Sequence, residues 1–364
     1  MALKVGIVGL PNVGKSTLFN AITNSKVEAA NYPFATIKPN VGVVEVPDYR
    51  LDKLQEIFES KKKIATTIEF VDIAGLIAGA SKGEGLGNAF LANIRETDAI
   101  CEVVRCFDDK DITHVEGSVD PVRDIEIINL ELMLSDEATI KKRIDKIASK
   151  VKGGDKTFKA ENDVLQKLAV CLDEGKLLNT LELSDEENKI LSGFQLLTAK
   201  PFIYVCNVND DELAEDNQYV KQVKEFAANI GCEVVKICAK IEEDLSEATP
   251  EERDMFLADL GATQSGLDSL IQAAYKTLGL QTYFTAGPQE ARSWQFPEGS
   301  TAPQCAGIIH TDFEKGFIKA DIYHIDALFE HGSEKAVKDA GKMRLEGKQY
   351  IMQDGDVCFF KFNN

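Results

Sequence analysis

The sequence predicts an α/β fold in which a parallel-type sheet is interrupted by an α-helical coiled-coil hairpin and followed by a small α+β domain. Short apolar β-type runs alternate with helical patterns in the first part of the 364-residue chain, which is typical of a parallel sheet with crossover helices. From 121 to 199 the apolar residues follow helical spacing only, and after residue 280 short β-type runs return. We therefore predict one domain from 1–120 and 200–280, a helical insertion at 121–199 and a C-terminal domain at 281–364.

The composition excludes several classes of protein. With 44% hydrophobic and 28% charged residues, the chain can bury a sizeable core and is neither disordered nor fibrous. No run approaches the roughly 18–20 apolar residues that a membrane-spanning helix needs, so we expect no membrane partner. Met1 to Leu10 lead directly into a structured motif and leave no room for a secretory leader, so we expect a cytoplasmic protein. The net charge of −19 argues against a generally basic nucleic-acid binder.

The predicted parallel-type sheet begins with the apolar run 3–9, which ends in a glycine-rich turn. Helical character follows from Ser16 to Ala21. Further β-type runs lie at 41–46, 66–71, 99–105, 201–207 and 232–237. Helical patterns separate most of them, as parallel neighbours require.

The helical insertion is predicted from two amphipathic stretches that are separated by a glycine pair. Steps of four, three and four residues place one apolar stripe on a long first helix, at Ile140, Ile144, Ile147 and Val151. Gly153-Gly154 ends that helix, and a second one carries Leu165, Leu168 and Leu172. Two such helices joined by a glycine turn predict an antiparallel hairpin of the coiled-coil type.

The C-terminal domain is predicted from short β-type runs and local turn signals. The runs lie at 281–285, 291–295, 317–324, 349–353 and 357–362. Asp354-Gly355 predicts a hairpin turn between the last two runs. Pro303, soon after Ser300 and Thr301, predicts a capped helix between strands.

A phosphate-binding motif lies between the first predicted strand and the first helix. Residues 9–16 read GLPNVGKS and match GxxxxGK[ST] in the strand–loop–helix context that the motif requires. Backbone N–H groups of this P-loop would converge on phosphate oxygens, Lys15 would reach the β- and γ-phosphates, and Ser16 would bind Mg²⁺. The expected nucleotide contacts are Asn12, Val13, Gly14, Lys15, Ser16 and Thr17.

Two further segments are candidates for contacts with the metal ion and the γ-phosphate. Asp72-Ile73-Ala74-Gly75 ends a β-type run, so we expect Asp72 to hold Mg²⁺ through water and the Gly75 N–H to bind the γ-phosphate. Thr36, in the loop 31–40, is the candidate for a second hydroxyl ligand. The expected metal site therefore consists of Ser16, Thr36 and Asp72.

These motifs resemble those of a known family. The P-loop GLPNVGKST, the loop NYPFATIKPNVGVVEVPDYRL and the run DIAGLIAGASKGEGLGNAFL are similar to the Obg branch of the P-loop GTPases. HVEGSVDPVRDIE and HTDFEKGFIKADI resemble, more specifically, the YchF/Obg-like ATPase family, and the resemblance covers essentially the whole chain. It implies a nucleotide domain interrupted by a coiled coil, a C-terminal TGS domain of β-grasp fold, and association with ribosomes.

The candidate base-recognition box differs from the Asn-Lys-x-Asp of guanine-specific relatives. The strand ending at Cys206 is followed by Asn207-Val208-Asn209-Asp210, so a valine replaces the lysine. Obg-like ATPases usually end this box with Glu, and Asp210 could still pair with guanine. The amide of Asn207 or the backbone of Val208 can satisfy adenine, and a buried polar mismatch costs about 1–3 kcal/mol.

A second loop is expected beside the base. Cys238-Ala239-Lys240 occupies the place of the Ser-Ala-Lys loop of guanine-specific relatives, so Cys238 and Ala239 are candidate nucleotide contacts that do not discriminate between bases. Taken with the family resemblance, the two loops favour ATP as the ligand. GTP remains the alternative.

The candidate catalytic residues follow from the position after the DIAG motif. Ras-like enzymes place a glutamine there to orient the attacking water, and this chain has Leu76, which has no polar group. His114 could handle the water or its proton from a nearby loop. Asn12 could instead hold a monovalent cation such as K⁺ beside the phosphates, or a partner could complete the site. Lys15 and Gly75 join His114 as candidate catalytic residues.

A basic segment lies within this acidic chain. Between Lys141 and Lys159 there are eight basic and two acidic residues, a balance of +6, which can bind a phosphate backbone. We predict RNA contacts through Lys142, Lys146 and Lys150. The resemblance implies the ribosome as the partner, and we expect its large subunit.

Three functions fit these observations. The favoured one is a slow, Mg²⁺-dependent ATPase that binds ribosomes and acts as a switch associated with translation or stress. The second is a GTPase of translation or ribosome assembly. The third is an RNA- or ribosome-binding adaptor that senses nucleotide with negligible turnover, since a weak catalyst and a sensor look alike in sequence.

Overall fold

The computed structural model describes residues 3–24, 40–73, 85–260 and 264–363. Within these ranges the chain forms two compact units. The first contains the described residues of 1–26, 36–44 and 69–274, and the second contains those of 45–68 and 275–364. Nothing in the sequence pattern pointed to residues 45–68 packing with the C-terminal residues.

The first unit is built on a six-stranded sheet, and the six predicted strand runs of this part of the chain are confirmed. The strands up to residue 237 are β1 (Lys4–Val8), β2 (Val41–Glu45), β3 (Lys62–Ile64), β4 (Thr67–Asp72), β5 (Ala99–Arg105), β6 (Phe202–Asn207) and β7 (Glu233–Ile237). Their order in this sheet is β2-β4-β1-β5-β6-β7, and β3 belongs to the second unit. β1 pairs in parallel with β4 and β5, and the parallel pairing continues through β6 and β7. β5 and β6 are buried along their whole length, as the central strands of such a sheet usually are.

Helices connect these strands and form the predicted hairpin. They are α1 (Lys15–Asn24), α2 (Tyr49–Phe58), α3 (Gly85–Arg95), α4 (Pro121–Lys152), α5 (Lys156–Asp173), α6 (Asp185–Ser192), α7 (Gln218–Ile230), α8 (Ala239–Glu247), α9 (Pro250–Asp259) and α10 (Gly266–Thr277). The hairpin is α4 and α5, whose shared core contains the predicted apolar stripe. Ile140 and Ile147 are buried there, and Ile144 and Val151 pack against them partly buried. The carboxylate of Asp136 on α4 accepts the backbone N–H groups of Leu197 and Thr198 at 2.9 and 2.8 Å, which ties the returning chain to the hairpin.

The second unit is a mixed sheet with short helices. Its further elements are β8 (Leu280–Ala286), β9 (Glu290–Pro297), α11 (Ala302–Ile309), α12 (Thr311–Lys315), β10 (Phe317–His324), α13 (Ile325–His331), α14 (Glu334–Asp339), β11 (Arg344–Glu346) and β12 (Asp356–Phe362). The strand order is β11-β10-β12-β8-β9-β3. β8 pairs with β9 and β10 with β12 in antiparallel fashion, and β12 lies parallel to β8 between them, as expected for a β-grasp arrangement. The capped helix after Thr301 is confirmed, because Thr301 and Gln304 form a capping box at the start of α11.

The predicted strand at 349–353 and its hairpin turn are wrong. Ile351 forms only an isolated bridge with Thr301, and the strand that precedes β12 in the chain lies earlier, at β11, which pairs with the other edge of β10. The carboxylate of Asp354 accepts the N–H of Thr282 at 2.8 Å, so the Asp-Gly pair is recruited by β8 instead of closing a hairpin. None of the described helices is long and apolar enough to cross a membrane.

Candidate phosphate and nucleotide site

The P-loop joins β1 to α1 through a backbone conformation that few residue types adopt. Asn12 and Gly14 have φ angles of +64° and +99°. A Cβ atom on Gly14 would lie 2.2 Å from Nδ2 of Asn207, so only glycine leaves room there. The carbonyl of Gly14 accepts the N–H of Leu18 at 3.0 Å, and α1 therefore starts directly behind the loop. A glycine-containing loop that leads directly into a helix N-terminus is a suitable binding site for phosphate.

Lys15 lies in a partly desolvated position between β1 and β4. Its Nζ atom donates to the carbonyl oxygen of Ile73 over 3.4 Å. Burial lowers the pKa of Lys15, and the nearby charge of Asp72 opposes this shift. An ammonium group held in this way gains electrostatic stabilisation when a phosphate arrives, because few other groups neutralise or hydrate it.

The described part of the metal site fits Mg²⁺. Ser16 is exposed in the first turn of α1, and Asp72 ends β4 next to Lys15. A hydroxyl and a carboxylate are the hard oxygen donors that Mg²⁺ prefers, with phosphate oxygens and water completing its shell. Within the described ranges no group of three or more His, Cys, Asp or Glu could hold a metal, and a P-loop Mg²⁺ needs none. The predicted ligand Thr36, together with Gly75 and Leu76, lies outside the described residues.

Asn207 connects the P-loop to the second candidate base loop. Its side chain is buried, with Nδ2 donating to the carbonyl of Val13 at 2.9 Å and Oδ1 accepting the N–H of Ala239 at 3.0 Å. The structure thus brings together Val13, Gly14, Asn207 and Ala239. Cys238, the residue before α8, is also buried.

Val208 and Asp210 differ sharply in exposure. Val208 is buried, and its N–H donates to the carbonyl of Ile237 at 2.8 Å, so a base contact would have to use another atom of this residue. Asp210 is exposed, and its Oδ1 accepts the N–H of Asp211 at 2.9 Å. Its carboxylate therefore remains accessible to solvent beside the buried valine.

His114 lies in the β5–α4 loop, which is defined as residues 106–120. Its ring is buried and has partners on both nitrogens. Nδ1 accepts the N–H of Glu116 at 3.1 Å, so the proton lies on Nε2, which donates to Oδ2 of Asp124 at 2.8 Å. The same loop contacts the P-loop, since the amide of Asn12 donates to the carbonyl of Thr113 over 3.2 Å. For His114 to reach a phosphate, both of its hydrogen bonds would have to break.

The three lysines predicted to bind RNA lie together on one stretch of α4. Lys142, Lys146 and Lys150 are exposed, and Nζ of Lys150 lies 4.2 Å from the ring centroid of Phe158. No ion pair of Lys142 or Lys146 is found among the described residues. They are not part of the P-loop cluster, because Lys146 follows the first turn of α4 by 22 residues, a rise of about 33 Å along the helix.

Two residues near the site were missed in the sequence. Arg105 ends β5 and is 1% exposed, and Asp124 in the first turn of α4 is 3% exposed. An arginine directly after the largely apolar run AICEVV was the one available signal, since buried arginines need many acceptors. Asp124 had no signal, because an acidic residue in the first turn of a helix is common.

Two family models match the chain. One, described as "50S ribosome-binding GTPase", matches residues 4–134, and the C-terminal model of the YchF-GTPase family, described as "Protein of unknown function", matches residues 280–363. The proteins called "Ribosome-binding ATPase YchF" in Bacillus subtilis (strain 168) and Escherichia coli O157:H7 are each 54% identical to this chain, with all of both chains covered. "Obg-like ATPase 1" of Rattus norvegicus is 47% identical, with 100% of this chain and 93% of the rat protein covered. The solved structure of the Schizosaccharomyces pombe YchF GTPase has a TM-score of 0.90 and 40% identity, covering 99% of this chain and 97% of the other.

Proposed function

Since the chain belongs to the YchF/Obg-like ATPase family, we propose that it is a ribosome-binding ATPase that hydrolyses ATP slowly and acts as a switch associated with translation or stress. The observation that carries this proposal is the identity of about half of all residues, over whole chains, with relatives named ribosome-binding ATPases. The P-loop cradle and the partly buried ammonium of Lys15 support the nucleotide part of it. We assign nucleotide binding to 1–120 with 200–280, the coiled-coil insertion to 121–199 and a TGS domain to 281–364. A protein that binds ribosomes would act in the cytoplasm, so we propose that location.

The P-loop residues divide the work of holding a triphosphate. Backbone N–H groups from Asn12 to Thr17 orient the phosphates, and Lys15 binds the β- and γ-phosphates, where its charge stabilises the negative charge of the transition state. Mg²⁺, held by Ser16 and Thr36 and through water by Asp72, would neutralise phosphate charge. The N–H of Gly75 would bind the γ-phosphate.

The base site favours ATP, and GTP is the alternative. The buried side chain of Val208 cannot lie along a purine in the way the lysine of a guanine-specific box does. Asn207 uses both ends of its amide to hold the P-loop and Ala239 together, so its role toward the base is to position these loops. The exposed carboxylate of Asp210 is the feature that favours GTP, because it would accept from guanine and repel N1 of adenine.

Leu76 stands where Ras-like enzymes have the glutamine that orients water, and three groups could take over that role. His114 would have to give up its bonds to Asp124 and Glu116 to reach the attacking water, so it becomes available only when the β5–α4 loop moves. Asn12 could hold K⁺ beside the phosphates through Oδ1, while its Nδ2 donates to the carbonyl of Thr113. A partner could also complete the site. We favour His114, because an imidazole transfers protons near neutral pH.

The ribosomal contact is proposed to include the exposed lysines of α4. Lys142, Lys146 and Lys150 would bind RNA phosphates of the large subunit. Their exposure on a helix of an otherwise acidic chain supports this contact.

Phosphate release from ATP, measured with and without ribosomes, tests the proposed function. We expect slow but measurable release that is lost in Lys15→Ala and Ser16→Ala while their unfolding curves stay close to that of the wild type. Normal activity in both variants would refute the assigned site. Negligible release under all conditions, with ribosome binding intact, would instead favour a nucleotide-sensing adaptor.

A further inference from the structure

Arg105 holds the first half of the β5–α4 loop from inside the protein. Its guanidinium donates to the carbonyl oxygens of Phe107, Asp109 and Ile112 at 3.2, 3.1 and 2.9 Å. It also lies 4.8 Å from the ring centroid of Phe107. Among the described residues it has no ion pair, so three carbonyl groups of one loop compensate the burial of its charge. A buried guanidinium in this arrangement restricts the loop strongly, because moving one carbonyl would leave a buried N–H group without a partner.

Asn217, the residue that caps α7, and Tyr219 within α7 fix the same half of the loop. Nδ2 of Asn217 donates to the carbonyl of Cys106 at 2.7 Å, and the hydroxyl of Tyr219 donates to the carboxylate of Asp108 at 2.9 Å. The loop is therefore attached to the body of the first unit at several points before it reaches Thr113. A shift imposed at Thr113 is then directed toward the part of the loop that follows.

The second half of the loop joins the P-loop to the start of α4. The carbonyl of Thr113 accepts from Asn12 of the P-loop, and the next residue, His114, donates to Asp124. Asp124 also accepts from Arg123, at 3.1 Å from Nη2. Two consecutive loop residues thus contact the phosphate-binding loop on one side and the first turn of the hairpin helix on the other.

We propose that the β5–α4 loop couples nucleotide binding at the P-loop to the position of α4, with Arg105 and Asp124 as its positioning residues. This inference rests on the proposed function, because it takes the P-loop as the nucleotide site. Asn12 lies where phosphate binds, so an occupied site changes its bond to Thr113, and His114 passes the change to Asp124. α4 has 32 residues, so a small tilt at its first turn becomes a larger displacement at its exposed lysines.

The direct test is amide hydrogen exchange of the first turn of α4, measured in the full-length protein with and without saturating non-hydrolysable ATP analogue, or the GTP analogue if that binds more tightly. In the wild type we expect exchange there to change about fivefold or more on nucleotide binding, which lies within the usual range of coupling between sites. In Asp124→Ala this response should disappear while nucleotide affinity changes less than about twofold. Asp124→Asn keeps an acceptor for the His114 N–H and should restore part of the response.

A matched control and a second variant separate coupling from general damage. Glu126→Ala removes an exposed carboxylate from the same part of α4 and should leave the response unchanged. Arg105→Lys keeps the charge but cannot bind three carbonyl groups at once, so it should weaken the response from the other half of the loop. If Asp124→Ala does not fold, Arg105→Lys carries the test, together with a response in Asp124→Asn that is smaller than in the wild type.

Two outcomes would overturn the coupling. One is a wild-type α4 whose exchange does not respond to nucleotide. The other is a response that stays as large as in the wild type and in Glu126→Ala in every folded variant of Arg105 and Asp124. A failure of the proposed function looks different, because the purified protein would then bind no nucleotide at the P-loop or no ribosome. Loss of ribosome binding alone, with the exchange response present, would leave the coupling supported.

Discussion

The P-loop and the β5–α4 loop follow neighbouring parallel strands, β1 and β5, but their shapes have different origins. The P-loop is shaped by its own residues, with positive φ angles at Asn12 and Gly14 and a helix that starts at Lys15. The β5–α4 loop is shaped by side chains from outside it, above all by Arg105 and by Asn217, which caps α7. A function that depends on local backbone geometry can therefore be recognised in a sequence, whereas one that depends on distant side chains cannot.

The largest effect is expected where the P-loop leaves no room. In Gly14→Ala the new Cβ would meet Asn207 at a residue with φ of +99°, so we expect nucleotide binding to fall at least tenfold and the free energy of unfolding to drop by about 1–3 kcal/mol. Calorimetric titration and denaturant unfolding measure both. Gly117→Ala in the β5–α4 loop is the control, because its φ is +79° but nothing lies within 4 Å of a Cβ there. Equal losses of nucleotide affinity in the two variants would contradict the argument from close approach.

His114→Ala tests the β5–α4 loop and should have the next largest effect. We expect phosphate release to slow by about 10–100-fold with little change in nucleotide affinity, since the histidine would act on water or a proton. Loss of its buried bond to Asp124 should also lower the free energy of unfolding by about 1–3 kcal/mol. Single-turnover kinetics measure the rate of hydrolysis apart from nucleotide affinity, and denaturant unfolding measures the loss of stability. If the rate does not change, Asn12 and a bound cation become the candidates for the missing catalytic role. Exchange of K⁺ for Na⁺ would then change the rate of phosphate release.

Changing Lys142, Lys146 and Lys150 together to Glu should weaken ribosome association and leave basal phosphate release unchanged. Affinity falls with salt, and each phosphate contact that is lost makes the slope of log affinity against log salt less steep by about 0.7–0.9. Cosedimentation with ribosomes over a range of salt measures this slope. The matched control carries the same charge change on exposed lysines of the second unit, Lys335, Lys338 and Lys342. Weakening by the control alone would return the α4 lysines to a solubilising role and favour the C-terminal unit as the contact.

The smallest expected effect is a pH dependence of nucleotide binding. Burial lowers the pKa of Lys15 in the free protein, and a bound phosphate would raise it again. Affinity should therefore be complete below the lowered pKa and fall as the pH rises through it, with uptake of a proton on binding. Calorimetry in two buffers of different ionisation enthalpy detects that proton. Proton release in the alkaline range would show that another group governs the titration.

Much of the fold and the phosphate site could be predicted from short patterns. The strand runs of the parallel sheet, the stripe from Ile140 to Val151 and the P-loop depend on spacing within a few residues, and such patterns survive folding. The strand at 349–353 failed because Asp354 bonds to Thr282, 72 residues earlier in the chain. The packing of 45–68 with the C-terminal residues was hidden for the same reason, since it depends on pairing between β3 and β9.

The candidate site shows the same limit at single residues. Asn207 was expected at the base, and in the structure its amide binds both Val13 and Ala239, which the sequence did not indicate. The partners of His114 could not be foreseen, because Asp124 approaches it only after α4 has formed. Sequence patterns identify which residues carry chemistry, and the fold decides which of them are free to use it.

The proposed function depends most on the choice of ATP over GTP, and a calorimetric competition between the two nucleotides tests this choice directly. Each is titrated with Mg²⁺ into the full-length protein, and each is then used to displace the other. We expect tighter binding of ATP, because the buried Val208 replaces the lysine of a guanine box and Asn207 is committed to the two loops. Tenfold tighter binding of GTP would contradict it and assign the exposed carboxylate of Asp210 to guanine recognition.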